Sequence, residues 1–277
     1  GKPIQQCISE VKYCADLWQH ASRTIKNVKE QIIKVNKKTT CRIYFEPVGI
    51  TAIIIPWNSP QLVLSERLPY ILAAGCVGII KPSEFANDGL IKLIEIINNI
   101  NLPKGVVNLI TGNHFTANLL TNNTKVNAIS FTGSSETGKK VMRSASKDLK
   151  RISLELGGKN PFIIFSDANL NLAIRNLIIS FTLNSGQACV GTSRVFVEKK
   201  ILKNFFDKLK NYLNKNKNKN YKINNYKNYN NAFNYLKKRD FKKKNIFYGK
   251  NKKKKNKDLI LNPIILTKLK VNDNMFM

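Results

Sequence analysis

The chain has 277 residues, 43% of them hydrophobic, and a formal net charge of +30 at pH 7. That is enough apolar side chain for one large or two ordinary domains, and it excludes a chain disordered throughout. The charge suggests a nucleic-acid binder until it is mapped: residues 199–258 hold 22 of the 47 basic side chains and 3 of the 17 acidic ones, a local excess of +19.

Five scattered cysteines, Cys7, Cys14, Cys41, Cys76 and Cys189, and two isolated histidines, His20 and His114, lack metal-ligand spacing. Reduced thiols and no metal site are expected. No basic-then-apolar leader opens the chain, and its longest uncharged apolar run, residues 68–80, falls short of the roughly 20 residues of a spanning helix. The expectation is a soluble, cytoplasmic protein with no membrane partner. The start at Gly1, without Met, points to a native N-terminus further upstream.

From Ile4 to about Ile33 apolar residues recur at helical spacing (Ile8, Val11, Cys14, Ala15, Trp18, Ile25, Val28, Ile32), predicting an amphipathic helix broken near Ala21. Thr39 to Glu46 alternates as a strand. Ile50 to Ile55 is a continuous β-rich apolar run of the kind found in buried parallel strands. A helix is expected from Leu62 to Ala74, a strand over Val77–Lys81, a helix from Asp88 to Ile100, a strand over Val106–Gly112, a short helix over His114–Leu120 and a strand over Val126–Phe131. Thr132-Gly133-Ser134-Ser135-Glu136-Thr137-Gly138 then opens a helix running to about Lys147. Strands alternating with helices at this rhythm imply a parallel, helix-covered sheet, with binding loops at the carboxyl ends of its strands.

A further strand closes on Glu155. A Gly-Gly turn and a second apolar strand, Pro161 to Phe165, follow it. A carboxylate flanked by leucines is expensive to bury, so it is expected to be paired or to serve as a base. Asp167-Ala168-Asn169-Leu170 starts a helix to about Leu183, which delivers Asn184-Ser185-Gly186-Gln187-Ala188-Cys189 and a strand over Thr192–Val197. Cys189, between a glycine turn and a strand, is the candidate nucleophile, although a lone cysteine is more often a packed core residue. Ile201 to Leu213 reads as an amphipathic helix. From Asn214 to Asn231 the chain is nearly all Asn, Lys and Tyr, with a second basic run at Lys252–Lys257; such sequence is expected to form loop or to remain disordered. A helix is expected at Ala232–Leu236, and Leu259 to Leu266 recovers strand character.

Leu154-Glu155-Leu156-Gly157-Gly158-Lys159-Asn160-Pro161 followed by Asn184-Ser185-Gly186-Gln187-Ala188-Cys189 resembles the aldehyde dehydrogenase superfamily, betaine-aldehyde and semialdehyde members most of all. Pro56-Trp57-Asn58, Lys81-Pro82-Ser83-Glu84 and Phe131-Thr132-Gly133-Ser134 resemble further motifs of that family, in family order. The fold implied is α/β: a Rossmann-type parallel-sheet cofactor domain over residues 1–153, and a partial α/β catalytic domain over 154–277 containing the Lys/Asn-rich stretch at about 214–258.

The resemblance implies oxidation of an aldehyde to an acid. Cys189 would be the nucleophile, Glu155 the base that activates water, and Asn58 with the Cys189 backbone amide the oxyanion hole. Ile54, Ile55, Pro56, Trp57, Lys81, Ser83, Glu84, Gly133, Ser134, Gly138 and Leu156 would bind NAD, with NADP possible; Glu84 repels a 2′-phosphate and so favours NAD. The family's nicotinamide-ribose loop and terminal pairing strand have no counterpart in the chain. A catalytically impaired remnant or a non-catalytic nucleotide-binding protein is therefore the alternative, and nucleic-acid binding through the basic tract ranks behind both. The family also implies a homo-oligomer.

Overall fold

The computed structural model describes residues 2–216 together with 229–231, 234, 246–248 and 264–267. They form two compact units, one of residues 7–157 and one combining residues 1–6 with those from 158 onward.

The first helix, α1 (Ile4–Thr24), ends in a single tight turn over Ile25–Asn27. The helix predicted to reach Ile33 is thus cut short, and Gln31–Lys34 instead forms β1, paired antiparallel with β2 (Thr40–Ile43). The β-branched Ile32 and Ile33 suit a strand. The polar residues after them close a hairpin: Lys38 N donates to Asn36 Oδ1 at 2.8 Å and Val35 N to Thr39 O at 3.0 Å.

Five parallel strands follow: β3 (Ile50–Ile55), β4 (Val77–Pro82), β5 (Val107–Leu109), β6 (Ala128–Thr132) and β7 (Arg151–Glu155). Their spatial order is β5-β4-β3-β6-β7, so the chain works outward from β3 in one direction and then returns to build the other half. This places a topological switch point between β3 and β6, where the crossovers diverge and leave a crevice at the carboxyl edge.

The helices between the strands are α2 (Pro60–Ser65), α3 (Leu68–Ala73), α4 (Asp88–Asn98), α5 (His114–Asn122) and α6 (Ser135–Ser146). Residues 62–74, expected as one helix, are two, separated at Glu66–Arg67. Pro69 has no N–H to offer the Ser65 carbonyl, and Arg67 leaves helical geometry at φ −122°, ψ −63°.

The unbroken apolar run of β3 is explained by burial on both faces. Ile53 and Ile55 pack with Leu64, Leu68, Ile80 and Leu90, whereas Ala52 and Ile54 pack with Leu120, Ile129, Phe131 and Val141. Each such fully buried Ile or Leu contributes about 1.5–3 kcal/mol, and this holds the loops that leave the sheet edge.

In the other unit β8 (Asn160–Ile164) pairs in parallel with β9 (Thr192–Val197). Between them runs α7 (Leu170–Thr182), started by Asn169, whose side chain accepts from the Asn171 and Leu172 amides. After β9 comes α8 (Leu202–Lys215). Ile164, Ile174, Leu177, Phe205, Leu209 and Leu213 form the core. Two short strands, β10 (Ile246–Tyr248) and β11 (Ile265–Leu266), pair antiparallel. The last bears out the end of the strand expected at 259–266; its earlier part lies outside the described residues, as does most of the low-complexity tract and of the helix expected at 232–236. No helix among the described residues is long and apolar enough to cross a membrane.

Candidate active site

The carboxyl edge of the five-stranded sheet gathers most of the residues singled out from sequence. Ile54 lies in register with Lys81 on β4 and with Phe131 on β6, and Thr132 with Glu155 on β7. Pro56, Trp57 and Asn58 leave β3, Ser83 and Glu84 leave β4, Gly133 and Ser134 leave β6, and Leu156 leaves β7. The side chains of Ile54 and Ile55 are spent in the two cores on either side of the sheet, so what these residues present to the edge is backbone.

Ser134 caps α6. Its Oγ accepts from Thr137 N at 3.2 Å and donates to Thr137 Oγ1 at 2.9 Å, which leaves the other first-turn amides of a twelve-residue helix directed at the crevice. Gly133 N donates to Glu155 O at 3.0 Å, stitching this loop to the end of β7. A Cβ on Gly133 would stand 2.6 Å from the Phe131 ring, and one on Gly138 2.6 Å from Leu156. Both glycines therefore serve close packing, Gly138 by drawing α6 down onto Leu156.

Lys81 is the unusual group of the edge. Its side chain is 5% exposed, and the Nζ lies 3.9 Å from Glu84 Oε2. Burial lowers its pKa from the ordinary lysine value, and the nearby Glu84 carboxylate partly opposes that shift. An ammonium with so little compensation keeps hydrogens available for a ligand's hydroxyls.

Glu155 is not buried between its leucines as its neighbours in sequence implied: its side chain is 60% exposed, with Oε1 3.6 Å from Arg67 Nη2. Alternation along β7 turns Leu154 inward and Glu155 out at the strand's last position. Sequence reasoning passed over Arg67. The signal was available, because Glu66-Arg67 is the one charged pair in an otherwise apolar stretch from Leu62 to Ala74.

Cys189 belongs to the other unit, and its thiol is exposed, against the base rate for a lone cysteine. The segment before it is wound in the left-handed region at three successive residues, Asn184 (φ 47°), Ser185 (φ 61°) and Gly186 (φ 79°). Such backbone costs about 1–3 kcal/mol for a residue other than glycine and persists only where surrounding bonds impose it. Here Asn184 N donates to Gln6 Oε1 at 3.0 Å, and Gln187 N and Nε2 both donate to Asn184 O. Gly191 N donates to Ala188 O at 3.1 Å, closing a turn with Cys189 at its first corner.

In the unit of residues 7–157 an exposed carboxylate, a buried ammonium and a capped helix thus share one sheet edge, and the other unit carries the exposed Cys189. The sequence profile of the aldehyde dehydrogenase family matches residues 1–277. The chain belongs to the aldehyde dehydrogenase family. It is 35% identical over 211 residues to glutarate-semialdehyde dehydrogenase of Pseudomonas putida, which covers 76% of this chain and 44% of that protein. The structure superposes on an oxidoreductase from Marinobacter aquaeolei with a TM-score of 0.87 and 30% identity, over 98% of this chain and 58% of that one. A betaine aldehyde dehydrogenase from Staphylococcus aureus in complex with NAD+ gives a TM-score of 0.72 and 32% identity, over 78% and 43% respectively. The aldehyde dehydrogenase fold expected from the motifs is thus borne out, as is the likeness to betaine-aldehyde and semialdehyde enzymes. The chain spans less than half the length of the curated relative it matches.

Proposed function

We propose that the protein oxidises an aldehyde to a carboxylic acid with a nicotinamide dinucleotide as acceptor. The observation that carries this reading is an exposed thiol at the corner of a bonded turn, in a chain of this family. The Cys189 thiolate adds to the aldehyde carbon, forming a C–S bond and an alkoxide. The Asn58 side-chain amide and the Cys189 backbone N–H donate to that oxygen as its charge develops. A nicotinamide dinucleotide, when bound, accepts the hydride that leaves the tetrahedral carbon. The product on Cys189 is a thioester. Glu155 takes a proton from water as the water attacks this carbonyl, the C–S bond breaks, and the acid leaves with the thiolate restored.

The sheet edge fits such a dinucleotide. The free amides at the start of α6, with Ser134, suit its pyrophosphate, the buried Lys81 and Glu84 suit the hydroxyls of a ribose, and Ile54, Ile55, Pro56, Trp57, Ser83, Gly133 and Leu156 line the same edge. Glu84 disfavours a 2′-phosphate, so NAD is preferred to NADP. A small aldehyde of the semialdehyde or aminoaldehyde kind is the substrate class suggested by the relatives.

The test is NADH absorbance with a panel of such aldehydes. Cys189→Ala is expected to abolish NADH formation. Glu155→Gln is expected to retain a first turnover and to lose steady-state turnover about a hundredfold or more, within the range of a general base. NADH formation by Cys189→Ala at the wild-type rate would end this reading.

A further inference from the structure

The Gly-Gly-Lys-Asn segment that follows Glu155 has no part in the chemistry assigned above, yet it grips the nucleophile's turn. Asn160, the first residue of β8, directs its Nδ2 to Cys189 O at 2.6 Å and to Gly191 O at 3.2 Å. Gly158 lies against the same contact: a Cβ there would stand 3.1–3.2 Å from the Asn160 amide and 3.2 Å from Cys189 O. Arg194 Nε donates to Lys159 O at 2.8 Å, fastening the segment between them to β9.

The consequence follows from the planarity of the peptide group. The plane before Cys189 is set by Gly191 N donating to Ala188 O. Because the peptide is trans, the Cys189 N–H on that plane points away from the turn. The plane after Cys189 is set by Asn160 on its carbonyl. With both planes held, φ and ψ of Cys189 are held too, and with them the directions of the Cα–Cβ bond that carries the thiol and of the N–H that would receive an oxyanion. The upstream left-handed run supplies no such restraint on the second plane.

We propose that Asn160 is a positioning residue whose side-chain amide aims the Cys189 thiol and backbone N–H at the same reacting carbonyl, with Gly158 leaving the room for it. The proposal rests on Cys189 being the nucleophile, and it explains why two separate sequence motifs occur together.

Two reactions of Cys189 that need no cofactor distinguish aiming from mere exposure. Acylation by p-nitrophenyl acetate passes through an oxyanion and needs thiol and N–H together, whereas alkylation by iodoacetamide needs the thiol alone. Both are followed on the 277-residue chain, by p-nitrophenolate release and by the mass of the peptide containing Cys189, with Cys189→Ala as baseline.

Asn160→Ala, and the isosteric Asn160→Asp with no donor, are expected to slow acylation about tenfold or more, as misdirected reacting groups do, while alkylation stays within about threefold. Asn160→Ser keeps a donor and is expected to recover part of the acylation rate. Gly158→Ala, which crowds the contact without removing the amide, is expected to act in the same direction as Asn160→Ala. In the NADH assay the loss should fall on kcat and leave KM for the aldehyde within about threefold.

Acylation unchanged within twofold in Asn160→Ala and Asn160→Asp overturns the proposal. So does a parallel fall of acylation and alkylation, which marks general loss of the loop, and so does a wild-type Cys189 that alkylates but never acylates. Selective loss of acylation in a protein that makes no NADH upholds the positioning role and removes the dehydrogenase reading instead.

Discussion

Replacing Lys81 by Met separates what this residue does for the fold from what it does for a ligand. Its ammonium has left water, at 5% exposure, for one ion-pair partner 3.9 Å away that is itself half-exposed. A pair of that kind returns about 0–1 kcal/mol, less than the several kcal/mol that burying an ion costs. Met keeps the length and apolar stem contacts without the charge. The unliganded variant is therefore expected to be more stable by about 1 kcal/mol, at the low end of the range found when buried ions give way to apolar side chains.

The pH dependence has a definite direction. Burial, opposed by Glu84, lowers the folded-state pKa, so between that value and the ordinary lysine value the unfolded chain binds more protons and wild-type stability rises with pH. The advantage of Met is fully present below the folded-state pKa and vanishes once pH exceeds the unfolded one. Urea unfolding followed by tryptophan fluorescence reads this unit alone, since Trp18 and Trp57 both lie in residues 7–157. NADH titration of the same variant should show at least a tenfold loss of affinity, about 1.4 kcal/mol.

Lys150 supplies the contrast. Its Nζ donates to Asn123 O at 2.6 Å and Val126 O at 3.1 Å and pairs with Asp148 at 3.0 Å. Lys150→Met takes the ammonium from the Val126 carbonyl and from Asp148, while Asn123 O keeps its bond from Val126 N at 3.1 Å, and is expected to cost about 2–4 kcal/mol. If both lysine variants move stability the same way, or if Lys81→Met costs more than about 1 kcal/mol, the reasoning about Lys81 fails.

Arg67→Met removes a partner 3.6 Å from an exposed carboxylate, so the stability change should stay below about 1 kcal/mol in urea. In the proposed reaction Glu155 would act after the hydride has left, with Arg67 orienting it. Rapid mixing should accordingly show a preserved first-turnover burst of NADH and a slowed steady state; an equal fall in both phases would count against this assignment. Gly133→Ala forces a Cβ to within 2.6 Å of the buried Phe131 ring, which is rigid and flanked by core. Overpacking there is expected to cost about 1–3 kcal/mol in urea unfolding and to weaken NADH binding by displacing the loop before α6.

Much of the molecule follows from local pattern. The Ile50–Ile55 run and the strands after it declare a buried parallel sheet because β-branched residues alternate with helical stretches at regular intervals; β3 and β9 begin and end, and β7 ends, where that pattern says. The motifs around Glu155 and Cys189 are equally legible, since each combines a side chain suited to the proposed chemistry with neighbouring glycines. Where the pattern was ambiguous it misled. Apolar residues from Ile25 to Ile33 satisfy helical spacing, but the chain there turns into a hairpin, because a bonded turn at Asn36 outweighs weak propensity. Pro69 split a helix for a reason visible in sequence, the missing N–H.

What sequence could not contain is the set of relations made by bringing distant residues together. The order β5-β4-β3-β6-β7 puts Lys81, Gly133 and Glu155 along one edge although they are separated by dozens of residues. Whether Glu155 is buried or exposed depends on which face of β7 is covered, and only the sheet's packing decides it. Arg67 meets Glu155, and Asn160 meets the Cys189 carbonyl, through contacts 88 and 29 residues apart. A residue's type and spacing determine what chemistry it can offer. Its partners, and so its charge, its exposure and its aim, are set by long-range packing that local pattern does not encode.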